Sequence, residues 1–426
     1  FWSQSDGMNW DGNYNYLRAV VPKLSEKLPD WLWVILWPEA NYGADVWKWA
    51  GDSFFNDKIV RYPWPYDTAI RSGILGFDPT KFKTLDFKVA PTIFWMHQVE
   101  AIPFMVGGYK QSFSKRSQPL FVAQHHYIVH KSLPYPMEGM FSRLWLQMGG
   151  SLAADRVLVH SDHCNQMMLE SFGEYLTPER LNELREKTIV HRHGLEDGEA
   201  DVPIATGPGV PVVVYNHRFE LYKDPFKTGE ILSSLKSSGL KFQVWITQIE
   251  GQRAKFFPAD RAVGHYRRKT YIENIAIPAI NTINSQHETF CVSILDSMSL
   301  GHTIVAPNGV TFPELLPKGY PFLFNSTKEQ VAMLSHIIKT WPKEYLVWRD
   351  ILRAHARKTF GLKRYVEKYA NILSEEAAKW EIRDPKEKTK TGMNRFFRSL
   401  KPGTYTMDSV RISIHKFTET GDQSVP

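Results

Sequence analysis

Between His287 and Glu314 the chain reads HETFCVSILDSMSLGHTIVAPNGVTFPE, and it changes period twice within that span. An apolar stretch with helical spacing runs up to Leu300, Gly301 stops it, and HTIVAP then reads as a short strand that is apolar throughout. A buried strand fed directly by a helix points to an α/β layer. The same segment carries three acids. Glu288 stands at the mouth of the expected helix and Asp296 follows eight positions later, two turns on, so both project from roughly one face. Glu314 closes the turn that starts at Gly309. Helix-start amides beside a hydroxyl-binding acid suit a phosphorylated, polyhydroxylated ligand, and a sugar nucleotide is such a ligand.

A second segment carries the matching cations. PVVVYNHRFELYKDPFKTGEILSSL opens as a buried strand at Val212 to Tyr215 and passes through a polar turn. It then enters an amphipathic helix whose expected apolar positions are Phe226, Ile231, Leu232 and Leu235. Arg218 and Lys223 lie in the turn, where two cations bracket a diphosphate, Arg in a bidentate fork and Lys as a point charge.

The first half alternates short strands with helices. VPKLSEKLPDWLWVILW, FNDKIVRYPW, APTIFWMH, PLFVAQHH and DRVLVHS supply the strands of a mainly parallel sheet. Two strands end in histidine, at His97 and at His125 and His126, and ADRVLVHSDHCNQMMLESF runs from a strand through a Ser-Asp cap into a helix. EDGEADVPIATGPGVP is acidic and then rich in Gly and Pro, the composition of a linker, and a second α/β unit follows from about 211. Helices near 341–380 close that unit and are placed to cross back to the first.

At 426 residues, with 43% hydrophobic and 13% aromatic side chains, the chain fills two cores. No apolar run approaches the ~18 residues of a membrane span, so no membrane insertion is expected. The first residue is Phe, which makes the start look trimmed, and no signal peptide is visible. Cys164 and Cys291 form no CxxC pair, which fits a reducing compartment, the cytoplasm by default. The net charge of +7 attracts polyanions such as nucleic acid or nucleotides. The histidine pairs His126/His130, His160/His163 and His191/His193 lack the spacing of a metal motif. Asp197-Gly198-Glu199, with no apolar strand before it, reads as a solvated loop. Two basic stretches, His265 to Lys269 and Ser112 to Arg116, read as solvated faces or acceptor-phosphate contacts. An aromatic near Trp10 or Tyr14 is placed to stack an acceptor base.

These motifs carry a resemblance. The cation pair and HETFCVSILD resemble the second half of retaining glycosyltransferases of the GT-B fold, in the large family-four-like group. That group has Arg-x4-Lys after the first strand of its second domain, matched by Arg218 and Lys223. It also has Glu, seven residues, Glu, matched by Glu288 and Phe290, with Cys291 in place of the usual Gly and Asp296 in place of the second Glu. NHRFELYKDP and HETFCVSILDSM are similar to the tRNA-queuosine mannosyltransferases (NHRWE-x-x-K-x-P and HEFFGV-x-x-LEA) over about 120 residues. QHH and ADRVLVHSDHCNQMMLE resemble, more briefly, the phage DNA α-glucosyltransferases (QHDH, then AD-x-x-x-SHSD).

The resemblance implies an α/β protein of GT-B type, two Rossmann-like domains facing across a cleft. Residues 1–205 would form the acceptor side, 206–382 the donor-binding side with helices returning to the first, and 383–426 a tail without an assigned role. It implies a metal-independent, retaining transfer of a hexose from UDP- or GDP-hexose, with no bound cofactor. Arg218, Lys223 and the amides around Glu288, Thr289 and Phe290 would hold the diphosphate, Glu288 the sugar hydroxyls and Asp296 the ribose. His125 would lie over the anomeric carbon, or His126 if the register shifts by one; His97, Asn13 and Tyr14 are the acceptor-side candidates. Both relatives act on a base in nucleic acid, which makes hydroxymethylpyrimidine DNA or hypermodified tRNA the expected acceptor, in the cytoplasm or in a host cytoplasm if phage-encoded. A glycan, lipid or small-metabolite acceptor, and a non-catalytic binding module, stay open as alternatives.

Overall fold

The computed structural model describes residues 12–38, 56–64, 93–97, 99–112, 119–135, 140–195, 201–247, 257–263 and 268–381. In the first half the order is α1 (Gly12–Lys27), β1 (Trp33–Pro38), β2 (Ile59–Trp64), β3 (Ile93–Met96), α2 (Ile102–Ser112), β4 (Leu120–Gln124), α3 (Phe141–Ala153), β5 (Arg156–Val159), α4 (Asp162–Gly173), α5 (Pro178–Lys187) and β6 (Thr188–Val190). The second half continues with β7 (Val212–Tyr215), α6 (Pro225–Ser237), β8 (Gln243–Ile246), β9 (Arg261–Ala262), α7 (Arg268–Ile275), β10 (Ile280–Thr282), α8 (Val292–Ser299), β11 (Thr303–Pro307), α9 (Phe312–Leu315) and β12 (Leu323–Phe324). Three helices end it: α10 (Thr327–Lys339), α11 (Lys343–Phe360) and α12 (Leu362–Glu381).

Among the described residues every strand pair is parallel. One sheet has the order β3-β4-β5-β6, a second the order β12-β11-β10-β7-β8-β9, and β1 pairs with β2. Strands β4 and β7 are buried along their whole length because helices cover both faces, which is why LFVA and VVV read as unbroken apolar runs. Around the first sheet, Phe94, Ile102, Phe121, Met148, Val157, Met168 and Phe172 share one core. Around the second, Val213, Leu232, Ile294, Met298, Val305 and Ile337 share another. Each such side chain contributes about 1.5–3 kcal/mol of burial. The α6 face is narrower than its sequence pattern: Ile231, Leu232 and Leu235 are buried, whereas Phe226 is 44% exposed.

Among the described residues the chain passes between the sheets twice, at one place. Leu195 N–H donates to the Phe360 carbonyl (2.6 Å) and Leu362 N–H donates to the Leu195 carbonyl (3.0 Å), so the outgoing and returning strands of chain lie side by side. Helix α12 then packs Leu362, Tyr365, Val366 and Tyr369 against Val20, Leu24, Trp33, Val122 and Leu158 of the first half, and Glu376 accepts from Arg156 Nε at 2.6 Å. The final helix thus belongs to the first sheet's core. The proposed tail, Trp10 and the stretch 113–118 lie outside the described residues.

Candidate active site

The carboxyl ends of β7 and β10 are laced by amides. Asn281 Nδ2 donates to the Val214 carbonyl (3.1 Å) and to Asn216 Oδ1 (2.7 Å), while Asn216 Nδ2 reaches Tyr271 Oη, the Ser293 carbonyl and Ser297 Oγ. Beyond this web the chain makes a short 3-10 turn, Leu221–Lys223, and Asp224 adopts φ 47° to cap α6, its carboxylate accepting from Lys227 N–H. That turn directs the Lys223 ammonium inward onto the Glu288 carboxylate, with side chains only 10% and 7% exposed. Burial pulls the Lys223 pKa down, but the carboxylate against it raises it further, and the net direction is upward. Ser285 Oγ and Gln286 N–H both donate to the Tyr222 carbonyl (3.1 and 2.9 Å), tying the Glu288 loop to the Lys223 turn. Arg218 stays on the exposed side of the same turn, its guanidinium donating to Tyr222 Oη at 2.7 Å.

The acids do not share a helix face. Cys291 sits at φ 68°, ψ 70°, a left-handed conformation that no right-handed helix can include, so α8 starts at Val292 and Glu288 lies in the loop before it. This is the position where the family pattern has Gly. Asp296 is buried inside α8 and both its oxygens are engaged: Arg268 forks onto them at 2.9 and 2.6 Å, and Tyr271 Oη donates at 3.1 Å. Arg268 comes from the basic stretch that reads as a surface feature in sequence; its partner is one helix away and 28 positions later.

On the first sheet, strand β4 delivers two histidines to different places. His125 Nε2 donates to Ser151 Oγ at 2.7 Å, that hydroxyl donates to the Gln147 carbonyl at 2.7 Å, and the ring is only 1% exposed. The ring of His125 therefore faces the core, contrary to the expected position over a ligand. His126 is the one that meets the second half, through its carbonyl and Thr289. Its ring nitrogens meet His97 Nδ1 (2.7 Å) and His160 Nε2 (3.0 Å), and His193 and Phe290 border the same group. Burial lowers the pKa of His97 and His160 to about 3 and of His193 to about 4. It also takes His126 well below the ordinary histidine value, with repulsion from His160, His97 and His193 adding to it. Asn13 and Tyr14 fall in α1, away from the histidines in sequence, and their side chains lie outside the described set.

Side chains from both halves meet at a seam. Thr289 Oγ1 donates to the His126 carbonyl (2.8 Å), Ser161 Oγ donates to the Thr289 carbonyl (2.6 Å), and Ser132 Oγ meets His287 Nδ1 (2.9 Å). The Glu314 carboxylate accepts from the backbone N–H groups of Asp162 and His163 (2.8 and 2.7 Å) at the start of α4, where the helix dipole favours an anion. Thr289, next to Glu288 in sequence, thus ties the second half to His126 at this seam. Sequence reasoning missed His160, His193, Ser161 and Arg268 as parts of it. His160 directly follows β5 and His193 comes three residues after β6, close to the place His126 has after β4, and that repeat was a readable signal.

Among the described residues no group of three or more His, Cys, Asp or Glu is disposed to hold a metal ion, and no helix is long and apolar enough to cross a membrane. No family model matches the chain. The chain is 24% identical over 176 residues to the tRNA-queuosine alpha-mannosyltransferase of Drosophila melanogaster; the match takes in 39% of this chain and 46% of that protein, less than half the relative's length. In three dimensions it is similar to Anabaena Alr3699/HepE, solved with UDP and glucose (TM-score 0.58, 14% identity, 87% of this chain and 98% of that one). It is equally similar to the lipopolysaccharide outer core galactosyltransferase WaaB (TM-score 0.59, 14% identity, 87% and 98%). Sucrose-phosphate synthase from Thermosynechococcus elongatus follows (TM-score 0.55, 12% identity, 76% and 85%). The architecture is that of the GT-B glycosyltransferases, two Rossmann-like domains facing across a cleft.

Proposed function

We propose that the chain is a retaining, metal-independent glycosyltransferase that moves a hexose from UDP- or GDP-hexose to a modified base in nucleic acid. The observation that carries the reading is the buried Lys223–Glu288 pair, set beside exposed Arg218 and joined to His126 through Thr289 at the seam of a GT-B fold. Residues 1–205 serve as the acceptor side and 206–382 as the donor side. The departing diphosphate gathers negative charge as the sugar–oxygen bond breaks, and Arg218 and Lys223 stabilise it through preorganised electrostatics. Glu288, released from Lys223 as the phosphate takes over the cation, accepts from the sugar hydroxyls. The sugar passes through an oxocarbenium-like state, which a neutral His126 does not repel. Asp296, with both oxygens taken by Arg268 and Tyr271, meets the ribose together with that guanidinium.

The match to the tRNA-queuosine alpha-mannosyltransferase and the net charge of +7 support a nucleic-acid acceptor. Two buried free thiols, Cys164 and Cys291, fit a reducing cytoplasm. The test is mass spectrometry of reactions pairing UDP- and GDP-hexoses with hydroxymethylated duplex DNA, tRNA, a glycan primer and a lipid primer. A hexose added to a nucleic-acid base is the expected product. Transfer confined to the glycan or lipid overturns the acceptor, and no turnover of any donor overturns the enzyme.

A further inference from the structure

Three imidazoles run head to tail past the ends of β3, β4 and β5. His97 Nδ1 lies 2.7 Å from His126 Nε2, His126 Nδ1 lies 3.0 Å from His160 Nε2, and His160 Nδ1 faces the His191 carbonyl at 3.4 Å. A carbonyl oxygen only accepts, so His160 carries its proton on Nδ1 and offers Nε2 as an acceptor. His126 then donates from Nδ1, and its Nε2 accepts from His97 Nδ1–H. One backbone carbonyl thereby dictates the tautomer of all three rings. A second proton on His126 or His160 would set N–H against N–H, so those rings stay neutral in this register. The depressed pKa values of all three agree with that state. The rings also pack, His97 on His126 at 5.0 Å and 18°, and His126 against His160 at 4.8 Å.

We infer that His97 and His160 are positioning residues that hold His126 at the seam as a neutral, Nδ1-protonated ring, with neither nitrogen left to exchange a proton with a ligand. Its contribution to transfer is then one of place and charge: an uncharged, fixed ring whose own carbonyl is clasped by Thr289. A general base at this strand end would need a nitrogen released from the chain, and the chain releases neither. The functional half of this inference rests on the transferase reading above; the tautomers do not.

The test uses the full chain labelled with 15N-histidine and long-range 1H–15N spectra at neutral pH. His97, His126 and His160 are expected as neutral Nδ1–H rings, the minority form of free histidine. His160→Phe removes the acceptor for His126 and should let its proton move to Nε2. His160→Gln, whose amide oxygen accepts at a similar place, should restore the Nδ1–H form. Where a donor is turned over, His160→Phe should lower kcat by about tenfold to a hundredfold with the donor KM within about twofold, and His160→Gln should recover most of it. If His160→Phe does not fold, His160→Leu, which likewise lacks an acceptor, carries the same comparison. An Nε2–H ring at His126 in the unaltered protein, or an unchanged tautomer and rate in the His160 variant that folds, Phe or Leu, overturns the inference. Spectra as expected with no turnover would retain the tautomer chain and sink only the transferase reading.

Discussion

Replacing Glu288 by Gln keeps the side chain's size and removes its charge, leaving the Lys223 ammonium 10% exposed with a neutral partner. Breaking a buried ion pair from one side costs about 3–5 kcal/mol, because the orphaned charge stays desolvated. The Gln carbonyl still accepts one hydrogen bond, which argues for the lower end, about 3 kcal/mol. For a unit of this size each kcal/mol moves Tm by about 2–4 °C, so Glu288→Gln should melt about 6–12 °C below the unaltered protein. Lys223→Met strands the carboxylate instead and should also lower Tm. The double variant Lys223→Met with Glu288→Gln should regain about 1.5 kcal/mol or more over the sum of the singles, since no charge is stranded. Calorimetric melts of the four proteins, run beside the transfer assay, measure this. Glu288→Gln melting within about 2 °C of the unaltered protein, or strictly additive singles, would refute the buried-pair account.

Arg218 offers the contrast. It is exposed, so Arg218→Ala should leave Tm within about 1 °C while lowering turnover by about a hundredfold or more, read by steady-state transfer. Acid should weaken the fold through three fully buried rings: His125 and His302 are held to about 4 and His160 to about 3, against 6.5 unfolded. Below pH 6.5 the unfolded chain takes protons that the folded one refuses, so stability is flat above that value and falls as pH drops toward 4. Together they remove up to about 4 kcal/mol between pH 7.5 and 5.5. Denaturant midpoints that stay constant over that range would contradict this. At Gly150 a methyl would overlap the Val99 carbonyl, backbone against backbone, so Gly150→Ala should cost about 2–3 kcal/mol by denaturant titration.

Much of the architecture was legible because parallel strands buried on both faces write themselves as unbroken apolar runs. VVVY, LFVA, RVLV and TIVAP all became strands, Ser161 capped α4 through Cys164 N–H, and Gly301 took φ 75° where the helix had to stop. The failures have local causes. The periodicity of HETFCVSILD gave no warning that Cys291 would turn left-handed and detach Glu288 from the helix. The choice between His125 and His126 lay one residue past the end of β4, where the strand's alternation no longer decides which side chain faces in. Arg268 looked like one more surface charge because its partner Asp296 is distant in sequence, and nothing short of the folded sheet brings α7 and α8 together. Phe226 matched the apolar spacing of α6 yet ended up facing solvent, a reminder that helical period fixes a stripe and packing fixes its width.

The paired crossing at Leu195 and Gly361 has a mechanical meaning. Two adjacent backbones, hydrogen-bonded to each other, bend together far more readily about a line across both than they shear or swivel. A displacement of one half against the other would have to carry both crossings with it, which favours a single axis. A cut in either crossing would leave the halves tethered but free to rotate, converting a door into a pendulum.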